Sequence, residues 1–233
     1  MSTHYDGAAL ARRGVIVVTI NYRLGYLGYF AHPALVAEAE GGNFGFLDQQ
    51  AALRWVRRNI AAFGGDPHRM TVFGESAGAV AILTLLADKA NEELFSQAIV
   101  QSGGGWSRLP ERAAMEQRTR DDLARIGVAA DADAATLRAI PAAQLVAAMA
   151  ADGSLGFGTF LDGVSISRQP VDVFRAGHQL PVPLLIGSND WEGSLMLAAG
   201  LGAEVVIETE GEQEQEAMDA LLALIGDRFG EGE

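Results

Sequence analysis

The chain contains no cysteine, which excludes disulfides, thiol nucleophiles and thiolate metal sites in one step. Its four histidines, His4, His32, His68 and His178, are scattered without metal-ligand spacing, so no metal site is expected and no other cofactor is implied. No uninterrupted apolar stretch approaches the roughly 18 to 20 residues that cross a bilayer. Met1 to Leu10 lacks both the basic start and the apolar core of a signal peptide, which makes a soluble, cytoplasmic protein the default expectation. Basic residues are also scarce, 17 against 30 acidic ones. Residues 1–110 hold 9 acidic and 9 basic side chains and residues 111–233 hold 21 and 8, so the second half carries the whole imbalance. An acidic surface with no basic stripe argues against nucleic acid and anionic membranes as partners; it reads as a solvated, solubilising face.

What the chain does have is hydrophobic content, 49% over 233 residues, enough for one large domain or two small ones. It also has Gly74-Glu75-Ser76-Ala77-Gly78, set between the apolar run Met70-Thr71-Val72-Phe73 and the apolar helix-forming stretch Ala79 to Ala87. A serine flanked by glycines two residues away on each side, at a strand-to-helix junction, has the form of the nucleophile elbow of α/β-hydrolases. The sharp turn forces the serine into a strained conformation, and side chains at the two glycines are expected to collide with the neighbouring strand and helix. In a chain with 28 glycines the pentapeptide alone is modest support, so the flanking strand and helix carry the reading.

Gly14 to Ile20 is a continuous β-branched run, as expected for a strand buried on both faces of a parallel sheet, and it follows a helix turn at Gly7 to Arg13. Leu47 to Phe63 places Leu53, Val56, Ile60 and Phe63 on one helical face, and Gly64-Gly65-Asp66-Pro67 terminates that helix. Further strands are predicted at Ala98 to Val100 and at Val182 to Ile186, the latter beginning near Pro183. Strands alternating with helices predict an α/β fold with a mostly parallel sheet, whose ligands bind at the carboxyl ends of the strands. Ser76, Ser102 and Ser188 to Glu192 gather there. Residues 108–151 are alanine-rich and strand-free, an insertion that reads as a helical cap or as a simple helical excursion. The tail, with Met218, Leu221, Leu222 and Ile225 in helical periodicity, predicts one amphipathic helix.

Several motifs in order resemble the type B carboxylesterases, the cholinesterase-like α/β-hydrolases. They are Asn21-Tyr22-Arg23-Leu24-Gly25 with Leu27-Gly28, Gly42-Asn43 with Asp48-Gln49, Phe63 to Pro67, Phe73 to Gly78, Gln101-Ser102-Gly103, Asp162-Gly163, and Gly187 to Gly193. The resemblance runs to about Met196 and implies a partial α/β-hydrolase domain over residues 1–233, with 108–151 as its helical insertion. It implies Ser76 as nucleophile, Glu192 as the acid that orients a histidine, and the Ala77 backbone N–H as an oxyanion donor. Asp190 is the rival acid, two residues earlier. The resemblance further sets Glu75 and Ser102 beside the triad and Trp106 in the acyl pocket, with core packing an equal reading for Ser102 and Trp106. Asp48, Asp66 and Asp162 read as turn or cap residues, and Arg23 as half of a structural ion pair.

Two family elements have no counterpart in these 233 residues: a His-Gly-Gly-Gly-type loop upstream of Asn21, and a histidine after Glu192. The four histidines present read as loop or surface residues, so none is identified as the base. The implied activity is hydrolysis of a small-molecule carboxylic ester through an acyl-enzyme. The expectation is an internal piece of a larger esterase or a truncated gene product, weakly active or inactive by itself. A non-catalytic cholinesterase-like interaction module and a degenerate esterase remnant are the alternatives.

Overall fold

A computed structural model describes residues 6–36, 40–103, 108–150 and 158–188. They all lie in the first of two compact units, Met1–Ser188. The predicted tail helix, His4, Trp106, Asp190 and Glu192 lie outside the described residues.

Three strands, β1 (Thr71–Glu75), β2 (Gln97–Gln101) and β3 (Leu184–Gly187), form a parallel sheet in the order β1-β2-β3. Phe73 pairs with Ile99 and Ile99 with Leu185, so all three strands point the same way and end level with one another. The parallel sheet expected from the alternation is therefore present, with each strand shifted by one or two residues from its predicted bounds.

The connection from β1 to β2 runs through one helix, Ala77–Leu86. Its sequence is apolar all round, which suits a helix buried in a core. It sets Ala79, Ile82, Leu83, Leu85 and Leu86 against Ala98 and Val100 of β2 and against Val72 of β1. Each fully buried aliphatic side chain contributes about 1.5 to 3 kcal/mol, so this layer is the main hydrophobic anchor of the unit. Strand residues pointing the other way are open: Phe73 is 51% exposed and Leu185 66%.

Of the helices, those before β1 are α1 (Ala8–Ala11), α2 (Gly25–Gly28), α3 (Pro33–Val36) and α4 (Phe44–Asn59); α5 is Ala77–Leu86. The helix expected from Leu47 to Phe63 is α4 plus a 3₁₀ turn at Ile60–Phe63, ended by Gly64 in the left-handed region at φ 83°. Val56 and Ile60 are buried as expected, but Phe63 is 65% exposed and rests on the ring of Trp55 instead. The 3₁₀ turn explains the correction, because tightening the last turn rotates Phe63 off the α-helical face.

The other correction is Gly14 to Ile20, which forms no strand. Val15, Ile16, Val18 and Ile20 are all exposed. A β-branched run becomes a strand only when a neighbour takes up its backbone N–H and C=O groups, and among the described residues none pairs with it. Val17 lies over Gly7, and Ile16 reaches Gly65 ahead of β1.

The stretch after β2 is helical, as the alanine-rich sequence predicts: α6 (Arg112–Arg125), α7 (Ala134–Ala139) and α8 (Ala142–Ala150). Leu123, Leu137 and Leu145 pack on Tyr26 of α2 and on Phe30, making a second small core. The Tyr26 hydroxyl donates to buried Asp122, which also pairs with Arg125. The last helix among the described residues, α9 (Pro170–Arg175), starts with proline at its first position and leads into β3. No described helix is long and apolar enough to cross a membrane.

Two polar nodes hold the loops around this frame. Asn43, fully buried, donates from Nδ2 to Phe160 O at 2.9 Å and Asp162 Oδ2 at 2.8 Å, and its Oδ1 accepts from Phe160 N at 3.1 Å. Asp162 also accepts from the backbone N–H groups of Val164 and Ile166, as a turn residue does. At the second node Arg23 grips Asp48 of α4 through Nε and Nη2, each at 2.8 Å, while the Arg23 backbone N–H donates to the same carboxylate at 3.0 Å. The ion pair expected of Arg23 is thus present. Asp48 is its partner rather than a cap, because it lies one turn inside α4. The Arg23 hydrogen bond holds the Asp48 carboxyl below the usual carboxylate range.

Asn43→Ala removes both partners from buried groups and is expected to lower stability by about 2 kcal/mol, measured by urea unfolding. Asp48→Asn tests the second node. Because the folded-state pKa of Asp48 is depressed, its contribution is present above the unfolded value near 3.9 and is lost as pH falls through the lower folded value. Both side chains are partly exposed, so the destabilisation by Asp48→Asn at pH 7 should be about 0.5 to 1 kcal/mol, and it should shrink on acidification below about pH 4.

Candidate active site

Between the last residue of β1, Glu75, and the first of α5, Ala77, there is one residue to reverse the chain. Ser76 takes φ 52° and ψ −116°, a region L-residues rarely occupy. The strain is held from both sides. The Ser76 N–H donates to Gln101 O at 3.0 Å, continuing the β1–β2 ladder, and its carbonyl accepts from Val80 N at 3.0 Å, the first bond of α5.

Gly74 allows the approach. A Cβ there would sit 2.7 Å from the carbonyl carbon of Gly78, so strand and helix meet backbone to backbone. The expected collision at Gly78 is absent: a Cβ there meets nothing within 4 Å among the described residues. Only the strand-side glycine is sterically required, because Gly78 faces outward from the contact and supplies the backbone that Gly74 must clear.

The outcome is an exposed Ser76 at the carboxyl end of the sheet, where the resemblance puts a nucleophile. Ala77, also exposed, opens α5. Val80 is the first residue to bond back to Ser76, so the Ala77 N–H falls outside the helical ladder and lies at the positive end of the helix dipole. Those are the properties an oxyanion donor needs.

Ser102 stands on the adjacent strand end. It is the second described non-glycine residue at positive φ, 53°, and its N–H donates to Gly187 O at 2.8 Å. Two strained serines on neighbouring strand ends had no separate sequence signal beyond Gln101-Ser102-Gly103; strain is visible only in the backbone. Glu75 precedes Ser76 in β1 and is exposed. The chain leaves β3 at Gly187, level with Gln101 and Glu75.

No described histidine reaches this end by its position in the fold. His68 precedes β1 and His178 precedes β3, both at the opposite strand ends, and both are exposed. His32 lies in a loop, as expected, but is buried there, only 2% exposed. Its Nε2 lies 3.2 Å from Ala130 O, and its Nδ1 accepts from Ala34 N at 3.3 Å, so both ring nitrogens are committed between the start of α3 and the loop before α7. Among the described residues no group of three or more potential ligands is placed to hold a metal ion.

The sequence profile described as the carboxylesterase family matches residues 1–225. The chain belongs to the carboxylesterase family. It is 43% identical over 193 residues to the fumonisin B1 esterase of Sphingopyxis macrogoltabida, covering 82% of this chain and 36% of that protein. It is 41% identical over 202 residues to the para-nitrobenzyl esterase of Bacillus subtilis, covering 82% of this chain and 40% of that protein. The crystal structure of Geobacillus stearothermophilus carboxylesterase EST55 superposes with a TM-score of 0.75 at 39% identity, over 83% of this chain and 41% of that one. The fold is accordingly that of an α/β-hydrolase, and the chain spans about two-fifths of the length of these relatives.

Gly74→Ala is expected to be the most damaging single-methyl change at the site. It forces β1 and α5 apart and should lower the thermal midpoint by several degrees, whereas Gly78→Ala, with open space at its Cβ, should match the parent in the same melt.

Proposed function

We propose that this chain carries the nucleophile of a serine carboxylic-ester hydrolase. The observation that bears most weight is the strained, exposed Ser76 between β1 and α5, backed by membership of a family whose two relatives above are named as esterases. Ser76 Oγ attacks the ester carbonyl, a histidine takes its proton, and Glu192 orients that histidine. The Ala77 N–H stabilises the oxyanion, the alcohol leaves, and water then releases the acid from the acyl-enzyme. Glu75 and Ser102 lie beside the triad, Trp106 lines the acyl pocket, and the helical insertion 108–151 is a cap within the same partial domain. The substrate class is a small-molecule ester.

A histidine base is not among the described residues near Ser76, and removal of one triad member costs several orders of magnitude in rate. The 233-residue chain by itself should therefore turn over p-nitrophenyl acetate weakly or not at all. In an esterase-active form of the protein, Ser76→Ala should lower kcat/KM by about 10³-fold or more, and a fluorophosphonate probe should label Ser76 and no other residue. Full activity in the Ser76→Ala protein, or labelling mapped elsewhere, would sink the assignment.

A further inference from the structure

We draw no further inference here: the strongest candidate, the exposed apolar face that Phe73 and Leu185 form on the side of the sheet away from α5, carries nothing because nothing in the structure shows what covers it.

Discussion

The contact between Gly74 and Gly78 governs the rest of the architecture. To pass from β1 into α5 in one residue, the chain must bring strand and helix backbones so close that a single methyl group on Gly74 would lie 2.7 Å from the opposite backbone. That closeness lays α5 flat on β1 and β2, where its apolar residues and Val72, Ala98 and Val100 close the main core. It also forces Ser76 out of the common backbone regions. The strain at Ser76 costs on the order of 1 to 3 kcal/mol, and it persists because the Gln101 carbonyl and the first turn of α5 fix the residue from either side. One steric fact thus sets the packing of the sheet and the exposure of Ser76 together.

Away from that junction, polar groups do what hydrophobic packing cannot, which is to give irregular chain a single path. Asn43 spans the sequence to Phe160 and Asp162, more than a hundred residues away, using both ends of its amide. Arg23 binds Asp48 through its side chain and its own N–H, and lies 5.3 Å from the centre of the Phe44 ring. A buried chain from Gln50 Nε2 to Asn91 Oδ1 and from Asn91 Nδ2 to Leu85 O ties α4 to the end of α5. Asn43 follows a 3₁₀ turn and Asn91 lies in one, where the ladder of hydrogen bonds is incomplete, while Asp48 and Gln50 anchor the loops from inside α4.

The sequence made the elbow, α4, α5 and the three strands legible because each is a local pattern: a period, a β-branched run, or glycine at a fixed offset. It misled where the outcome depends on a neighbour. Gly14 to Ile20 has strand composition but lacks a pairing partner among the described residues, and Phe63 has the right period but sits in a 3₁₀ turn. His32 is a loop residue as its sequence context suggests, but its burial was not legible, because its partner Ala130 is almost a hundred positions away. Ser102 showed as a motif letter, but its positive φ did not, since nothing local demands it. At the site, the strained turn at Ser76 and the helix after it could be read directly, whereas the pairing of Arg23 with Asp48 rather than with any other acid required the fold.

Ser76 geometry and Ser76 reactivity are therefore separable properties of this molecule. The geometry is complete within β1, α5 and β2, and every group that enforces it is backbone. Reactivity needs more, because a serine hydroxyl in water is a poor nucleophile until a base shares its proton. His68 and His178 are at the wrong ends of their strands, and His32 has both nitrogens engaged. The described unit fixes Ser76 and the Ala77 N–H at the carboxyl end of the sheet. The support of the turn is local, the backbone bonds of Ser76 to Gln101 and Val80 and the close approach of Gly74 to Gly78, so the strain is held within β1, α5 and β2.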